Sequence, residues 1–187
     1  MEYLKNKKVL LTGAAGGFGS EFTHQLLQKG AHLILSDIDE ERLKSKKSLY
    51  SEAPGKITDI VVADLSKPEG CEKLYSEITE KACNIDIIIH NAGMLTYGYF
   101  HDAPVENFYK LMQVNTLSPM HITSLFLPDM LRRSTGHIVF LSSVAGFVPT
   151  SFETSYSVSK FALRGYGMAL YGELSKMGIS VTNIYPF

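Results

Sequence analysis

Short apolar runs, leucine-rich or β-branched, alternate along this chain with longer stretches in which apolar positions recur at helical spacing. The short runs predict strands near residues 9–11, 32–36, 57–62, 85–90, 137–141 and 180–184. The longer stretches predict helices near residues 19–28, 40–51, 69–81, 105–115, 119–132 and 156–176. The strands are apolar throughout, with no alternation in polarity, which is the pattern of a parallel sheet covered by helices on both faces. A strand–helix succession with right-handed crossovers gives an α/β fold, a doubly wound parallel sheet of Rossmann type. With 187 residues and no internal repeat, low-complexity tract or Pro/Gly/Ser linker, residues 1–187 are expected to form a single domain.

Composition narrows the class. Hydrophobic residues make up 45% and charged residues 20%, which suits a globular protein and excludes a disordered or fibrous chain. A formal net charge of −1 gives no electrostatic reason to expect nucleic acid as a partner. The basic clusters at residues 5–8 and 44–47 are too short to be more than solvated surface. No apolar stretch approaches the ~18 residues that span a bilayer. The charged residues 1–8 lack a signal-peptide core, and Cys71 and Cys83 read as free thiols, so a cytoplasmic setting is expected. The histidines at 24, 32, 90, 101, 121 and 137 show no ligand spacing, so they are read as structural or surface residues and no metal is expected. A hydrolase triad has no support, because no Gly-x-Ser-x-Gly elbow accompanies a His and an acid.

Three places carry candidate chemistry. The segment from Leu10 to Gly19 follows a predicted strand and opens a helix, where backbone N–H groups and the helix dipole can receive a phosphate. It fits T-G-x-x-x-G-x-G through Gly13, Gly17 and Gly19, and T-G-x-x-G-x-x-G through Gly13, Gly16 and Gly19, so dinucleotide binding is expected without a subtype. Asp37 ends the second predicted strand, where a carboxylate would accept hydrogen bonds from an adenosine ribose and repel a 2′-phosphate. No Arg or Lys lies in the glycine loop or beside Asp37 in the chain, so NAD is expected over NADP. Tyr156 and Lys160 stand one helical turn apart, on one face. A nearby cation favours the ionised form of a phenol, which makes Tyr156 a candidate acid or base. The spacing alone is cheap, since Tyr3 and Lys7 repeat it.

The ordered set of glycine turn, Asp64-Leu65, Asn91-Ala92-Gly93, Asn115, Ser142-Ser143 and Tyr156-x-x-x-Lys160 resembles the short-chain dehydrogenase/reductase family, of the simpler single-domain type, over about Lys7 to Pro186. The resemblance implies hydride transfer between NAD and a secondary alcohol or ketone. It assigns Gly13, Ala15, Gly17, Phe18, Gly19, Asp37, Asp64, Leu65, Asn91, Ala92 and Gly93 to the cofactor. Tyr156 becomes the proton donor or acceptor, Ser143 the residue that polarises the substrate oxygen, and Lys160 a partner of both Tyr156 and the nicotinamide ribose. Asn115 becomes the residue that holds a water in a proton relay behind the lysine. Ser143 is chosen over Ser142 because similar proteins carry their catalytic serine thirteen positions ahead of the tyrosine.

Pro186 stands where the family places Pro-Gly beside the cofactor; a substrate-covering segment and a final edge strand usually follow, and here they are missing. The sequence is therefore expected to be part of a longer protein or to lack a disordered tail, with a natural truncation as the third reading. Similar proteins pair through their two long helices, so a homodimer or homotetramer is expected. The apolar residues Met94, Leu95, Phe147, Val148, Pro149 and Phe152 should line the substrate side, which favours an apolar substrate. The aromatic and methionine positions of the last helix, Phe161, Tyr166, Met168 and Tyr171, are read as core or subunit contact. Two other readings stay open: a dinucleotide-binding regulatory or assembly protein without turnover, and a sugar-nucleotide epimerase or dehydratase.

Overall fold

In a computed structural model, residues 3–81 and 84–187 are described; Met1 of the charged N-terminus and Cys83 of the two expected free thiols lie outside them. Six parallel strands form one sheet in the order β3-β2-β1-β4-β5-β6. They are β1 (Lys8–Thr12), β2 (His32–Asp37), β3 (Lys56–Val62), β4 (Ile87–His90), β5 (Gly136–Leu141) and β6 (Ile179–Ile184). The helices are α1 (Gly17–Gln28), α2 (Glu40–Leu49), α3 (Pro68–Thr79), α4 (Val105–Met112), α5 (Ser118–Arg133) and α6 (Thr154–Leu174). The α/β doubly wound layout is as expected.

Period-two alternation along each strand divides the core between two faces. Val9, Leu11, Leu33, Leu35, Ile87 and Ile89 pack under α1 and α2 through Leu26, Leu27 and Leu43. Leu10, Ile34, Ile88, Ile138 and Phe140 meet Leu74 of α3, Phe126 of α5 and Leu163 of α6. The inner strands β1, β2, β4 and β5 are thus apolar on both sides, which explains their unalternating runs, whereas the edge strands β3 and β6 turn Lys56, Thr58, Ser180 and Thr182 outward. Tyr166 joins this second cluster with its ring edge-on to Phe140, whereas Phe161, Met168 and Tyr171 are exposed. Cys71 is free and buried, and burial pushes its thiol up to about 11. No helix among the described residues is long and apolar enough to cross a membrane.

Most boundaries fall within two residues of the sequence reading, and two of the departures have a physical cause in the structure. The fourth strand begins at Ile87, not residue 85, because Asp86 is spent as a clamp: its carboxylate accepts the Lys8 N–H at 2.9 Å and its carbonyl accepts that of His137 at 2.9 Å. The helix expected over residues 105–115 stops at Met112 and passes through a π turn, Gln113–Leu117, into α5. Such turns insert a residue into the helical ladder and recur where a helix must present a particular side chain.

Within the buried core, one polar side chain stands out. His90, the last residue of β4, is 2% exposed and stacks on Phe140 with centroids 5.1 Å apart and planes 8° from parallel. Its Nε2 is 2.9 Å from the Thr123 hydroxyl of α5, while Nδ1 has no partner. Burial holds its pKa down to about 3.

Candidate active site

The carboxyl ends of the strands share one edge, and strand order reverses between β1 and β4, the position at which open α/β sheets form a crevice. A cavity of about 640 Å³ lies there. Its walls bring together Gly13, Ala15, Gly17, Phe18, Gly19, Asp37, Asn91, Ala92 and Gly93 with Ser143, Tyr156, Lys160 and Pro186.

Steric demand separates the glycines. Gly13 has φ +63°, and a Cβ there would stand 2.6 Å from the Ala92 Cα, so the turn after β1 and the end of β4 touch backbone to backbone. A Cβ on Gly19 would lie 2.2 Å from the Gly13 carbonyl oxygen, so α1 packs directly on the turn. Both glycines belong to either motif. A Cβ on Gly17 would meet no protein atom within 4 Å, so the protein's own packing does not call for a glycine; its missing side chain leaves room in front of the α1 N-terminus. That helix carries no acidic residue in its first turn, so nothing opposes an anion at its positive end.

Thr12, which the motif reading left without a role, ties β1 to β4. Its hydroxyl oxygen accepts the N–H groups of Asn91 and Ala92, each at 3.2 Å. The Asn91 amide donates to the carbonyls of Thr12 at 3.0 Å and Gly13 at 2.8 Å. Asp37 does similar work for β2: one carboxylate oxygen accepts the Ala15 N–H at 2.8 Å and the other those of Ile38 at 2.8 Å and Asp39 at 3.2 Å. The statement that no basic residue stands beside Asp37 holds along the chain but not in space. Arg42 of α2 lines the same cavity, with its Nε 3.2 Å from the Asp39 carboxylate. Lys46 donates to the Ser20 hydroxyl at 2.6 Å, and burial lowers its pKa against the upward pull of Asp37, so the cluster at residues 44–47 is not uniformly solvated surface. The signal was available in the helical spacing of Arg42 from its N-cap, Asp39.

At the other end of the cavity, Lys160 is buried and its ammonium donates to the Leu141 carbonyl at 2.8 Å, 5.5 Å from the centre of the Tyr156 ring. Burial draws its pKa down to about 8. Ser142 points into the fold and donates to the Lys160 carbonyl at 3.0 Å. The Ser143 oxygen accepts the Ala145 N–H at 3.1 Å, capping the turn Val144–Gly146. Gly93 is the meeting point: a Cβ there would stand 3.5 Å from Asn115 Oδ1 and 3.7 Å from Lys160 Nζ.

Asn115 does not line the cavity but sits fully buried behind it. Its Oδ1 accepts the Met94 N–H at 2.7 Å, and its amide donates to the Met94 carbonyl at 2.8 Å and the Ser159 hydroxyl at 3.0 Å. Asp64 and Leu65 border an adjoining cavity of about 270 Å³ that shares Gly13, Asp37, Ala92 and Gly93 with the first. The Asp64 carboxylate accepts the Ser66 N–H at 3.0 Å, and hydrogen bonding by Ser66 holds its pKa down. Pro186 accepts the Val144 N–H at 2.9 Å, beside Ser143.

Of the expected substrate-side residues, Met94 and Leu95 line the main cavity. Phe152 lines a neighbouring hollow of about 480 Å³ with Tyr97, Tyr99 and Phe100. Phe152 has φ +67°, and its carbonyl accepts the Gly98 N–H at 2.9 Å, which holds the two loops together.

A model of the short chain dehydrogenase family matches residues 7–187. The chain is 30% identical over 186 residues to an uncharacterized oxidoreductase of Staphylococcus saprophyticus, covering all of this chain and 80% of that protein. It is 34% identical over 189 residues to dehydrogenase/reductase SDR family member 7B of Xenopus laevis, covering 98% of this chain and 58% of that one. Among solved structures, a short-chain dehydrogenase from Sphingobium yanoikuyae in complex with NADPH superposes with a TM-score of 0.89 at 30% identity, over 96% of this chain and 70% of that one. The bulky-bulky ketone specific alcohol dehydrogenase from Comamonas testosteroni superposes with a TM-score of 0.89 at 28% identity, over 96% and 72%.

Proposed function

Because the chain belongs to the short-chain dehydrogenase/reductase family, we propose that it moves a hydride between a nicotinamide dinucleotide, NAD before NADP, and the carbon of an apolar ketone or secondary alcohol. One observation carries this reading: a single cavity joins the α1 N-terminus and Asp37 at one end to Ser143, Tyr156 and Lys160 at the other. The open space in front of Gly17 suits a diphosphate, and the side-chain-free surface of Gly93 suits a flat ring.

The nicotinamide, when bound, is the hydride donor or acceptor. The chain's own residues do the rest. Ser143 takes the Ala145 N–H on its oxygen and keeps its hydroxyl proton for the substrate oxygen, which it fixes and polarises. Tyr156 gives its proton to that oxygen in reduction and takes one back in oxidation. Lys160, even with a pKa drawn down to about 8, is largely charged at neutral pH and holds its ammonium 5.5 Å from the centre of the Tyr156 ring. The Asn115 amide is spent on Met94 and Ser159, so its part is to hold the turn before α5 against the Gly93 end of the cavity.

NAD is favoured because the Asp37 carboxylate would face a 2′-phosphate, and Arg42 is engaged by Asp39. NADH is expected to protect the protein against heat at about tenfold lower concentration than NADPH, and Asp37→Ser to narrow that gap. Stronger protection by NADPH would refute the role given to Asp37. An apolar substrate is supported by Leu95 in the main cavity and by Tyr97, Tyr99, Phe100 and Phe152 around the neighbouring hollow, all well exposed, and by the ketone specificity of the Comamonas relative. The test follows absorbance at the nicotinamide band across a panel of apolar and charged carbonyl compounds. Turnover of charged members alone would overturn the substrate class; dinucleotide binding with no turnover would favour a regulatory role.

The same reading takes residues 1–187 as one domain. It extends to self-association through α5 and α6, supported by the exposed Leu131, Val158, Phe161, Met168 and Tyr171.

A further inference from the structure

We propose that Ser159 is a positioning residue of the proton-transfer site, a buried hydroxyl that locks the π turn carrying Asn115 to the first turn of α6 and so sets where Tyr156 and Lys160 stand relative to Gly93. This inference rests on the proposed hydride transfer.

Ser159 is fully buried. Its hydroxyl donates to the Tyr156 carbonyl at 2.7 Å. By itself that bond is a local helix contact of small consequence. The same oxygen, however, accepts the Asn115 amide N–H at 3.0 Å, and the Ser159 carbonyl accepts the Thr116 hydroxyl at 3.0 Å. The π turn therefore grips this one residue twice, by side chain and by backbone. The Asn115 amide in turn holds Met94 by both its N–H and its carbonyl, directly after Gly93. An unbroken line of hydrogen bonds thus runs from the backbone that flanks the Gly93 surface, through Asn115 and Ser159, to the backbone of Tyr156.

Lys160 is the next residue, and its ammonium leaves α6 in another direction, toward Leu141. The two side chains secure successive backbone positions against different walls: Ser159 against the α4–α5 junction, Lys160 against the end of β5. Removing the Ser159 hydroxyl would strand a buried amide N–H on Asn115, which is costly if nothing moves. The relief available is a shift of α6 or of the Met94 backbone. Either shift displaces Tyr156 from the carbon above Gly93, and proton transfer loses about 100-fold in rate for a misplacement near 1 Å.

The experiment compares wild-type protein with S159A and S159C. NADH affinity is read from heat protection, and turnover of an apolar ketone over a range of pH. In S159A, NADH affinity is expected to stay within about twofold and kcat to fall about 30- to 100-fold, with the pH–kcat profile displaced from that of the wild type as Lys160 and Tyr156 lose register. S159C, which keeps a weak donor and acceptor, should recover part of the rate and of the profile. Should S159A not fold, the displaced profile of S159C carries the test. The N115A/S159A double variant should be no worse than the poorer single variant, since both act through one line of contacts. An active wild type whose S159A variant keeps its kcat and pH profile overturns the inference, as does a lower melting temperature with no change in profile, which marks a merely structural serine. A wild type that binds NADH without turnover counts against the proposed reaction itself and takes the inference down with it.

Discussion

Replacing Tyr156 by phenylalanine is expected to lower turnover by about a thousandfold, within the 10²–10⁴ range of a positioned acid or base, while NADH protects the variant against heat as well as it protects the wild type. The substitution removes one oxygen and keeps the ring, so the packing of α6 and the stacking space at the cavity wall remain. Lys160 stays where it is, because its ammonium is held by the Leu141 carbonyl at 2.8 Å and does not depend on the phenol for its place. The bond that the Ala15 N–H makes to the Asp37 carboxylate lies at the far end of the cavity, so dinucleotide affinity has no reason to change. Loss of turnover with retained binding therefore isolates the proton-transfer step. The assignment to Tyr156 fails if the variant turns over at the wild-type rate. A regulatory protein without turnover would give a different result again, with wild type and variant equally silent.

The parts of this fold that were legible in the sequence are those whose signal is local. Ile87-Ile88-Ile89 is apolar on both faces because β4 sits between β1 and β5, and such a run announces a central parallel strand. Gly13 and Gly19 were legible because the turn between a strand and a helix has few solutions, and both glycines are demanded by backbone contacts. What escaped depends on where one element lies against another. The π turn at Gln113–Leu117 leaves no mark in hydrophobic periodicity, since its purpose is to aim Asn115 at Met94 and Ser159, residues 21 and 44 positions away. Lys46 was read as solvated surface and Arg42 was not counted beside Asp37, because the approach of one to Ser20 and of the other to the cavity is set by how α2 returns over β2. Ser159 carries no role in the sequence reading, although a serine three places after Tyr156 in a helix is within reach of its carbonyl. His90 was grouped with the other histidines, and a sharper reading was available: a polar residue closing an unbroken isoleucine run must end up inside.

That burial makes His90 an acid trigger for unfolding. In the folded protein its pKa is held down to about 3, because charging the ring would strand a cation between Phe140 and α5, and among the described residues no carboxylate stands against it to compensate. In the unfolded chain the ring titrates at its ordinary value of 6.5. Between those two values the unfolded state binds a proton that the folded state refuses, so stability is fully present above pH 6.5 and is lost as pH falls toward 3. The loss integrates to on the order of 5 kcal/mol, comparable with the whole stability of many domains. Wild-type protein is therefore expected to show a urea midpoint that falls steeply below pH 6. H90F should flatten that fall: phenylalanine keeps the stack on Phe140 and carries no proton, and the Thr123 hydroxyl still has Tyr166 as a partner. At pH 7 the variant should differ little from wild type, because the neutral imidazole already leaves Nδ1 without a partner and gains little from its place. Surface carboxylates also titrate over this range, but they do so equally in both proteins, so the difference between the two curves reports His90 alone. Parallel curves from pH 7 to pH 4 would mean that the ring reaches water or a counter-charge before the fold opens, and the acid sensitivity would then have to be sought elsewhere.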